Sequence, residues 1–464
     1  MRGWEEIKKY FEQTNLDPHK LACGCAVKID LERVVYPALR GIREKLESKG
    51  IVLAGREDAD ISLRRGEPKI LRSILSLSSP KLDSIRLFKP QRAITLTSVY
   101  RVRDPSELGA RWLSFYEAFA DEGVQFIVGK GHTIEAYSKD DEFILFDFFK
   151  TEGTEADGYL VANNDTIQLI DPTIELGAPA QVDVALSNAL NDLFALGVFE
   201  NIKIYPVYAA PTDEIQKQLQ ENMRHFCDRY GFKLVEQPPI SNKTLLLGAT
   251  VLGETKRKPP TFYEELNRGD LILVHRPLGD LAPINLYLDG LIMGESFVKE
   301  LGFTMEKLEM AKDGIVSTMR VPNVKVGKII HSFCPGFNET FDEDAHIKAT
   351  GDLSGPGIQI FKEIAERGCV NIQLERVPLS HEEIVRAATK QLIIPNGTSG
   401  TNGAVAIMAS PAVIERVANE LRGAGYAPEI IGFVEGKGEG ALTVPESIKE
   451  FVADEKLLAH WKVL

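Results

Sequence analysis

Cysteine is scarce in this chain, with five residues in 464. So few, and an odd number, exclude the disulfide framework that holds small secreted domains together and suit a reducing compartment. Long apolar runs are missing too: none approaches the roughly 18 residues that a membrane span requires. Positive charge is not in excess. The formal net charge is −13, which argues against a nucleic-acid partner, since that would need a basic face. An anionic ligand here would need cations to offset charge on both sides. The usual nucleotide and metal signatures are absent: no G-x-x-x-x-G-K-[ST], no G-x-G-x-x-G after a strand, no H-E-x-x-H, and no ligand spacing among the eight histidines. The opening "MRGWEEIKKYFEQTNL" is amphipathic and carries acids, unlike a signal peptide. A cytoplasmic protein without membrane or nucleic-acid partners is the expectation.

What is present is enough chain for two or three domains and a sizeable core. Helical periodicity runs through 4–14, 31–48, "VDVALSNALNDLFALG", 212–230, 358–368, 382–390 and 411–424. Gly197 stands where a C-terminal cap is expected. Strand-like runs are "VQFIVG", "EFILFDFF", "IKIYPVYA", "KTLLLGATVLG", "LILVHRPLG", "GAVAIMAS" and "EIIGFVEG". The charged, proline-bearing "ETKRKPPTFYEELNRGD" reads as a domain linker. Strands and helices mix without strict β-α-β alternation, so an α+β architecture of two domains is expected.

Three groups of residues could carry chemistry. In "LACGCAVKID", Cys23 and Cys25 flank a glycine and Lys28 follows three residues later. Read plainly, these are small side chains near a helix start; zinc is disfavoured because no second Cys or His pair lies at a suitable distance. The sharper reading pairs Cys25 with Lys28, whose ammonium would lower the thiol pKa, helped by the positive end of the helix starting near Asp30. The second group is acidic. Asp147 ends an apolar run, Asn188 and Asp192 share one helical face four residues apart, and Asp352 lies in the glycine-rich "KATGDLSGPG". Each alone suits a solvated or capping residue; together they suit Mg²⁺, which takes oxygen ligands and bridges phosphates. Third, "PNGTSGTNGAVAI" offers backbone amides to an anion or is a simple loop before a strand. "TKRK" (255–258) and "FDEDAH" (341–346) read as solvated stretches, and Cys227, Cys334 and Cys369 as ordinary small residues.

These pieces occur in an order that resembles selenophosphate synthetase (selenide, water dikinase) and its aminoimidazole ribonucleotide (AIR) synthase superfamily, over residues 20–45 and roughly 125–435. Cys25 and Lys28 match the family's Cys-x-x-Lys loop. "FDFF" resembles T-D-F-F and places a metal-binding role on Asp147. "NALNDLFALG" resembles N-A-x-S-D-x-x-A-M-G, which carries roles onto Asn188 and Asp192. "LVHRPLG" resembles L-T-K-P-L-G. "TGDLSGPG" resembles T-D-V-T-G-F-G and makes Asp352 a further metal ligand. "PNGTSGTNGAV" resembles D-P-Q-T-S-G-G-L-L, which assigns nucleotide contacts to Thr398, Ser399 and Gly400. The family's acidic pair D-D-A-A-V has no obvious counterpart; Glu135, in "GKGHTIEAYSK", stands nearest that place.

The resemblance implies an AIR synthase-like fold of two α+β domains, dimerising through a β-barrel of N-terminal-domain strands, with ATP and several Mg²⁺ held between domains. Its divisions would be an N-terminal segment (1–45), an inserted lobe (46–124), an N-terminal domain (125–253), a linker (254–268) and a C-terminal domain (269–464). The implied activity is phosphorylation of a small inorganic chalcogenide, selenide in the family, with release of AMP and phosphate. Cys25 would present the chalcogenide and Lys28 would stabilise developing charge. Two alternatives stay open: an ATP-dependent sulfur-transfer enzyme, to which the extra thiol Cys23 lends support, and a non-catalytic nucleotide-binding regulator.

Overall fold

A computed structural model describes residues 4–14, 53–54, four strands between 124 and 151, a few isolated positions between 41 and 110, and the chain from 158 to 464 except 237–238 and 240–244. The expected loop and helix around Cys25, most of the proposed lobe at 46–124 and Asp147 lie outside the described residues.

Sixteen described strands form two sheets. The first runs in the order β1 (Leu53–Ala54), β2 (Val124–Val128), β3 (Ile134–Ser138), β4 (Phe143–Leu145), β5 (Phe148–Thr151), β6 (Gly158–Ile167), β9 (Leu247–Thr255), β7 (Glu200–Pro206) and β8 (Lys233–Leu234). The second runs β11 (Ala349–Leu353), β13 (Ala404–Ala409), β10 (Leu271–Val274), β14 (Glu429–Lys437), β12 (Val370–Leu374), β15 (Leu442–Val444) and β16 (Lys462–Val463). Both are mainly antiparallel, with parallel pairs only toward the edges. The α+β, two-sheet architecture is therefore as expected. One run differs: "EFILFDFF" is two antiparallel strands, with Leu145 opposite Phe148, and not one.

The described helices are α1 (Trp4–Thr14), α2 (Pro179–Ala195), α3 (Asp213–Tyr230), α4 (Leu281–Met293), α5 (Glu295–Glu300), α6 (Met305–Met319), α7 (Val324–Ser332), α8 (Gln359–Gly368), α9 (Glu382–Lys390), α10 (Pro411–Gly423) and α11 (Glu455–Leu458). Local chemistry sets their ends. Thr212 caps α3 by accepting from the Ile215 N–H, and Gly231 closes it at φ 70°. Pro179 opens α2, where a missing N–H costs nothing. Beyond its other end Gly197 takes φ 72°, and a side chain there would press on the backbone of His331.

The second sheet is covered on both faces, and the two-residue period of a strand sorts its side chains. Leu273, Val405, Ile407 and Ala409 pack with Val413, Ile414 and Val417 of α10. Ile272, Val274, Ala406 and Met408 pack on the opposite face with Phe361 and Ile364 of α8. The first sheet buries Val161, Ile167, Val251 and Ile204 under α2 and α3, and the same core continues into Leu286 of α4 and Leu308, Ala311 and Ile315 of α6. Helix α2 is consequently buried on almost every side, as expected for a helix without a solvated face.

The run expected to be a linker is held against the second sheet. Thr261 bridges to Ala349, Arg257 bridges to Gly336, and the Arg257 guanidinium donates to the Cys334 carbonyl. The "TKRK" stretch is thus engaged through Arg257, and Lys258 Nζ donates to the Glu339 carbonyl at 2.7 Å. Behind it, Lys348 Nζ lies 2.9 and 3.0 Å from the two carboxylate oxygens of Asp270. Lys348 is only 1% exposed, so loss of Asp270 leaves its charge buried with only the longer 3.6 Å contact to the exposed Glu343. Asp270→Ala is expected to cost about 3–5 kcal/mol in urea denaturation, whereas Asp270→Leu combined with Lys348→Met recovers most of it. A loss below about 1 kcal/mol in the single variant would contradict this role.

Candidate functional site

Gln181, Asp183, Ser187, Asn188 and Asn191 of α2 are buried and need partners inside the protein, whereas Asp192 is partly exposed. Toward the N-terminus, Gln181 Oε1 accepts from the backbone N–H groups of Ile170 and Asp171, while its Nε2 donates to the Asp171 carbonyl. Asp183 accepts from Arg320 at 2.7 and 2.9 Å and from Arg229 at 3.2 Å. One turn and more further along, residues 188, 191, 192 and 195 fall on one stripe, as i, i+3, i+4 and i+7 positions do. That stripe meets both sheets.

On the first-sheet side it faces β6. Residues 161, 163, 165 and 167 point to one face of that strand, and all four are buried: Val161 and Ile167 build core, whereas Asn163 and Asp165 turn polar groups onto α2. Asn163 Nδ2 donates to the Ala189 carbonyl at 3.0 Å and to Asp192 Oδ2 at 2.7 Å. Asn188 Nδ2 donates to Asp165 Oδ2, and Asp165 Oδ1 accepts the Thr166 N–H.

On the second-sheet side the stripe faces the end of β11 and the start of β13. Asn191 Nδ2 donates to Asp352 Oδ1 and to the Gly403 carbonyl. Its Oδ1 accepts from Asn323 Nδ2 at 2.6 Å. Asn188 Oδ1 accepts the Asn402 N–H at 2.9 Å. The Asn402 side chain then donates to the Met319 and Val321 carbonyls, fastening the C-terminal end of α6. Thr350 Oγ1 donates to the Ala195 carbonyl. At Gly403 a Cβ would collide with the Leu353 carbonyl, so only glycine lets β13 approach β11 this closely.

Behind Asn402 sits a buried ion pair. Arg276 grips Asp280 in a two-pronged bond, both contacts 2.8 Å, and donates to the Asn402 carbonyl. Its neighbour His275 is fully buried, and Nδ1 accepts the Val405 N–H at 2.8 Å. Burial first, then the nearby Arg276 charge, push the His275 pKa down to about 3, against smaller upward pulls from Val405 and Asn323.

The structure therefore places Asn188 and Asp192 on one stripe of α2 and ties Asp352 to that stripe through Asn191. Thr398, Ser399 and Gly400 are near: a Cβ on Gly400 would meet the Asp280 carboxylate. All three are buried, and their amides bond inward, Thr398 N to Asn396 Oδ1, Ser399 N to the Asn396 carbonyl and Gly400 N to the Ser354 carbonyl. Glu135 belongs to β3, opposite Ile127 and Leu145. Cys25, Lys28 and Asp147 lie outside the described residues. The sequence reading did not single out Asn163, Asp165, Asn191, Asn323 or Asn402. For Asn163 and Asp165 a signal exists: two polar residues at strand spacing inside the apolar "YLVANNDTIQLI". Cys227 and Cys334 are buried, and burial pushes both thiols up to about 12, in keeping with ordinary core cysteines.

Among the described residues no three acidic, His or Cys side chains stand close enough to hold a metal by themselves. The donor type nevertheless suits Mg²⁺, which takes one or two carboxylates and completes its shell with water and phosphate. Asp192 and Asp352 fit that requirement in kind.

No family model matches the chain, and no curated protein matches it. Solved structures do match in chain course. One is tt0281 from Thermus thermophilus, 12% identical over 64% of this chain and 88% of that one, TM-score 0.47. Another is thiamine-monophosphate kinase from Stenotrophomonas maltophilia, 17% identical over 69% and 90%, TM-score 0.43. A third is the hydrogenase maturation protein HypE in complex with ATP, 16% identical over 64% and 83%, TM-score 0.43.

His275 makes stability depend on pH. The unfolded chain takes up its proton below about 6.5, while the folded protein resists until about 3, so folding loses free energy as pH falls through that window. The stability of wild type relative to His275→Phe should fall by up to about 1.4 kcal/mol per pH unit below 6.5. Parallel urea-midpoint profiles from pH 7 to 4.5 would contradict the assignment.

Proposed function

We propose that the chain is an ATP- and Mg²⁺-dependent phosphotransferase of the AIR synthase superfamily, acting on a reduced chalcogenide in the manner of selenophosphate synthetase. The observation that carries this reading is the single stripe of α2 on which Asn188, Asn191 and Asp192 meet Asp165 from one sheet and Asp352 from the other. A triphosphate spanning that junction would touch both units at once. The order of motifs along the sequence points to the same chemistry.

Within this reading, Asp192 and Asp352 hold Mg²⁺, joined by Asp147 and Glu135. The bound metal would neutralise charge on the phosphates and polarise the one being transferred. Asn163 and Asn191 keep the two carboxylates aimed by donating to one oxygen of each. Asp165 does the same for Asn188 by accepting its amide. The fork between Arg276 and Asp280 stiffens the loop that presents Asn402, so the second sheet keeps register with α2. Cys25 carries the chalcogenide toward the phosphate, and Lys28 steadies the charge that develops there. Two such chains form a homodimer through strands of the first sheet.

The test is turnover of ATP with Mg²⁺ and either selenide or sulfide, scored for AMP and for a new phosphorus NMR signal. Asp192→Asn and Asp352→Asn should each lower turnover at least about 100-fold, roughly 2.7 kcal/mol of barrier. Cys25→Ala keeps ATP hydrolysis and loses the new phosphorus species. Near-wild-type turnover in both Asp variants would overturn the proposal.

A further inference from the structure

Strands β11 and β13 are antiparallel neighbours, with Asp352 opposite Val405 and Leu353 opposite Ala404. Beyond those pairs the chain leaving β11 (354–358) and the chain entering β13 (395–403) stay joined, now chiefly by side chains. The carbonyls of Ser354, Gly355 and Pro356, three in a row, accept from the Gly400 N–H at 3.1 Å, Ser399 Oγ at 2.8 Å and Asn396 Nδ2 at 3.1 Å. The Ile358 N–H donates to Thr398 Oγ1 at 3.2 Å, and that hydroxyl donates in turn to Asn396 Oδ1 at 2.7 Å. Gly357 takes φ 56° at this seam, where a side chain would press on Thr398. The C-terminal segment backs the contact: the Gly397 N–H donates to the Phe451 carbonyl at 2.7 Å, and Asn396 bridges to Val452. Thr398 and Ser399 are 0% and 1% exposed, so both hydroxyls are committed inside the protein.

We propose that Asn396, Thr398 and Ser399 are positioning residues, a clasp that holds the chain after Asp352 against the chain before Asn402 and so fixes Asp352 against Asn191. This role replaces the nucleotide contacts that the family resemblance implies for Thr398 and Ser399. Both arms of the second sheet that reach α2 leave from the clasp. Asp352 stands two residues before Ser354, and Asn402 and Gly403 follow closely after Gly400. Asn191 Nδ2 donates both to Asp352 Oδ1 and to the Gly403 carbonyl, so it needs the two arms at one fixed offset. Thr398 is the pivot. An N–H can only donate, so Oγ1 accepts from Ile358 and gives its own proton to Asn396 Oδ1. Serine keeps both bonds; valine, of nearly the same shape, leaves the Ile358 N–H unmatched and takes one of two donors from Asn396 Oδ1. Outer groups of this kind tune the ligands they hold. The role in metal binding rests on the phosphotransferase reading, whereas the placement of Asp352 does not.

The first test therefore needs no nucleotide. In full-length protein with ¹⁵N in the Asn side chains, the Asn191 and Asn163 NH₂ signals are assigned by their loss in Asn191→Ala and Asn163→Ala. Thr398→Val should shift the Asn191 signal, which reports the bond to Asp352. It should leave the Asn163 signal, which reports the bond to Asp192 from the first sheet. Thr398→Ser should return Asn191 to its wild-type position. An unmoved Asn191 signal in Thr398→Val would overturn the proposal, and so would equal shifts in both signals, the mark of general loosening. Should Thr398→Val not fold, Ser399→Ala, which removes the one bond to the Gly355 carbonyl, carries the same two readouts. A second arm measures Mn²⁺ affinity in the presence of a non-hydrolysable ATP analogue. Thr398→Val should weaken it about tenfold, and Thr398→Ser should restore it. An unchanged affinity, with only the melting temperature lowered, means that the clasp serves stability alone and contradicts the proposal. If the wild type binds no metal–nucleotide, the phosphotransferase reading fails while the amide signals still decide the placement of Asp352.

Discussion

A helix buried on nearly all sides needs partners for the polar groups it carries, and where α2 crosses between the sheets it finds them with carboxamides, although Asp183 Oδ1 nearer its start has no hydrogen bond. Asparagine donates and accepts from the same end of a short side chain. Asn188 therefore takes a carboxylate of the first sheet with one hand and a backbone N–H of the second with the other. Asn191 accepts from Asn323 and donates to Asp352. Replacing either by an apolar residue would leave several buried groups unmatched, each costing about 1–3 kcal/mol. The fold's two halves share one apolar core around α2, and this stripe adds the directional bonds that fix their register.

Charge is distributed unevenly around that helix. Farther toward its N-terminus, α6 is tied to the first unit by Lys312 with Asp171 at 3.0 Å and by Arg320 with Asp183 at 2.7 Å. At the other end the crossing bonds use neutral amides against Asp165, Asp192 and Asp352. One end is a clamp of paired charges; at the other, carboxamides meet three carboxylates directly, and the nearby Arg276 charge is taken up chiefly by Asp280. The proposed phosphate and its cation would therefore lie by the C-terminal half of α2 and not at its start. That placement also accords with the acidic balance of the whole chain, which offers an anionic ligand little help without metal ions.

Much of the architecture was legible in the sequence. Helix periodicity located α2, α3, α8, α9 and α10, and Gly197 marked the end of α2 because a left-handed turn is hard for any other residue. Strand pattern located β7, β9, β13 and β14. The break inside "EFILFDFF" was not, since a continuous apolar run carries no alternation to show where pairing reverses. In the site, spacing alone put Asn188 and Asp192 on one face, and a glycine-rich run drew attention to Asp352, which the structure places not in a turn but in β11, opposite Val405. Asn191 was passed over although it stands on the same stripe, three residues after Asn188, because an uncharged amide on a helix face gives no sign of a partner until the facing elements are in place. Asn323 and Asn402 lie in loops whose meeting with α2 depends on tertiary packing that no local pattern encodes. Asp165 was legible in principle, as a polar residue at strand spacing among apolar ones. The "TKRK" stretch showed the opposite error: its charge suggested a solvated run, yet Arg257 donates to the carbonyl of Cys334 and Lys258 to that of Glu339.

The account stands on one spatial claim, that a metal-bridged triphosphate sits where the stripe of α2 meets β11. The most direct measurement is crystallographic: the full chain grown with Mn²⁺ and a non-hydrolysable ATP analogue, with anomalous scattering locating the manganese. The account predicts an anomalous peak at coordination distance, roughly 2.1 Å, from oxygens of Asp192 or Asp352, with phosphates beside Asn188. Manganese and nucleotide bound elsewhere, with the amide bonds to Asp192 and Asp352 undisturbed and no density between the carboxylates, would contradict it.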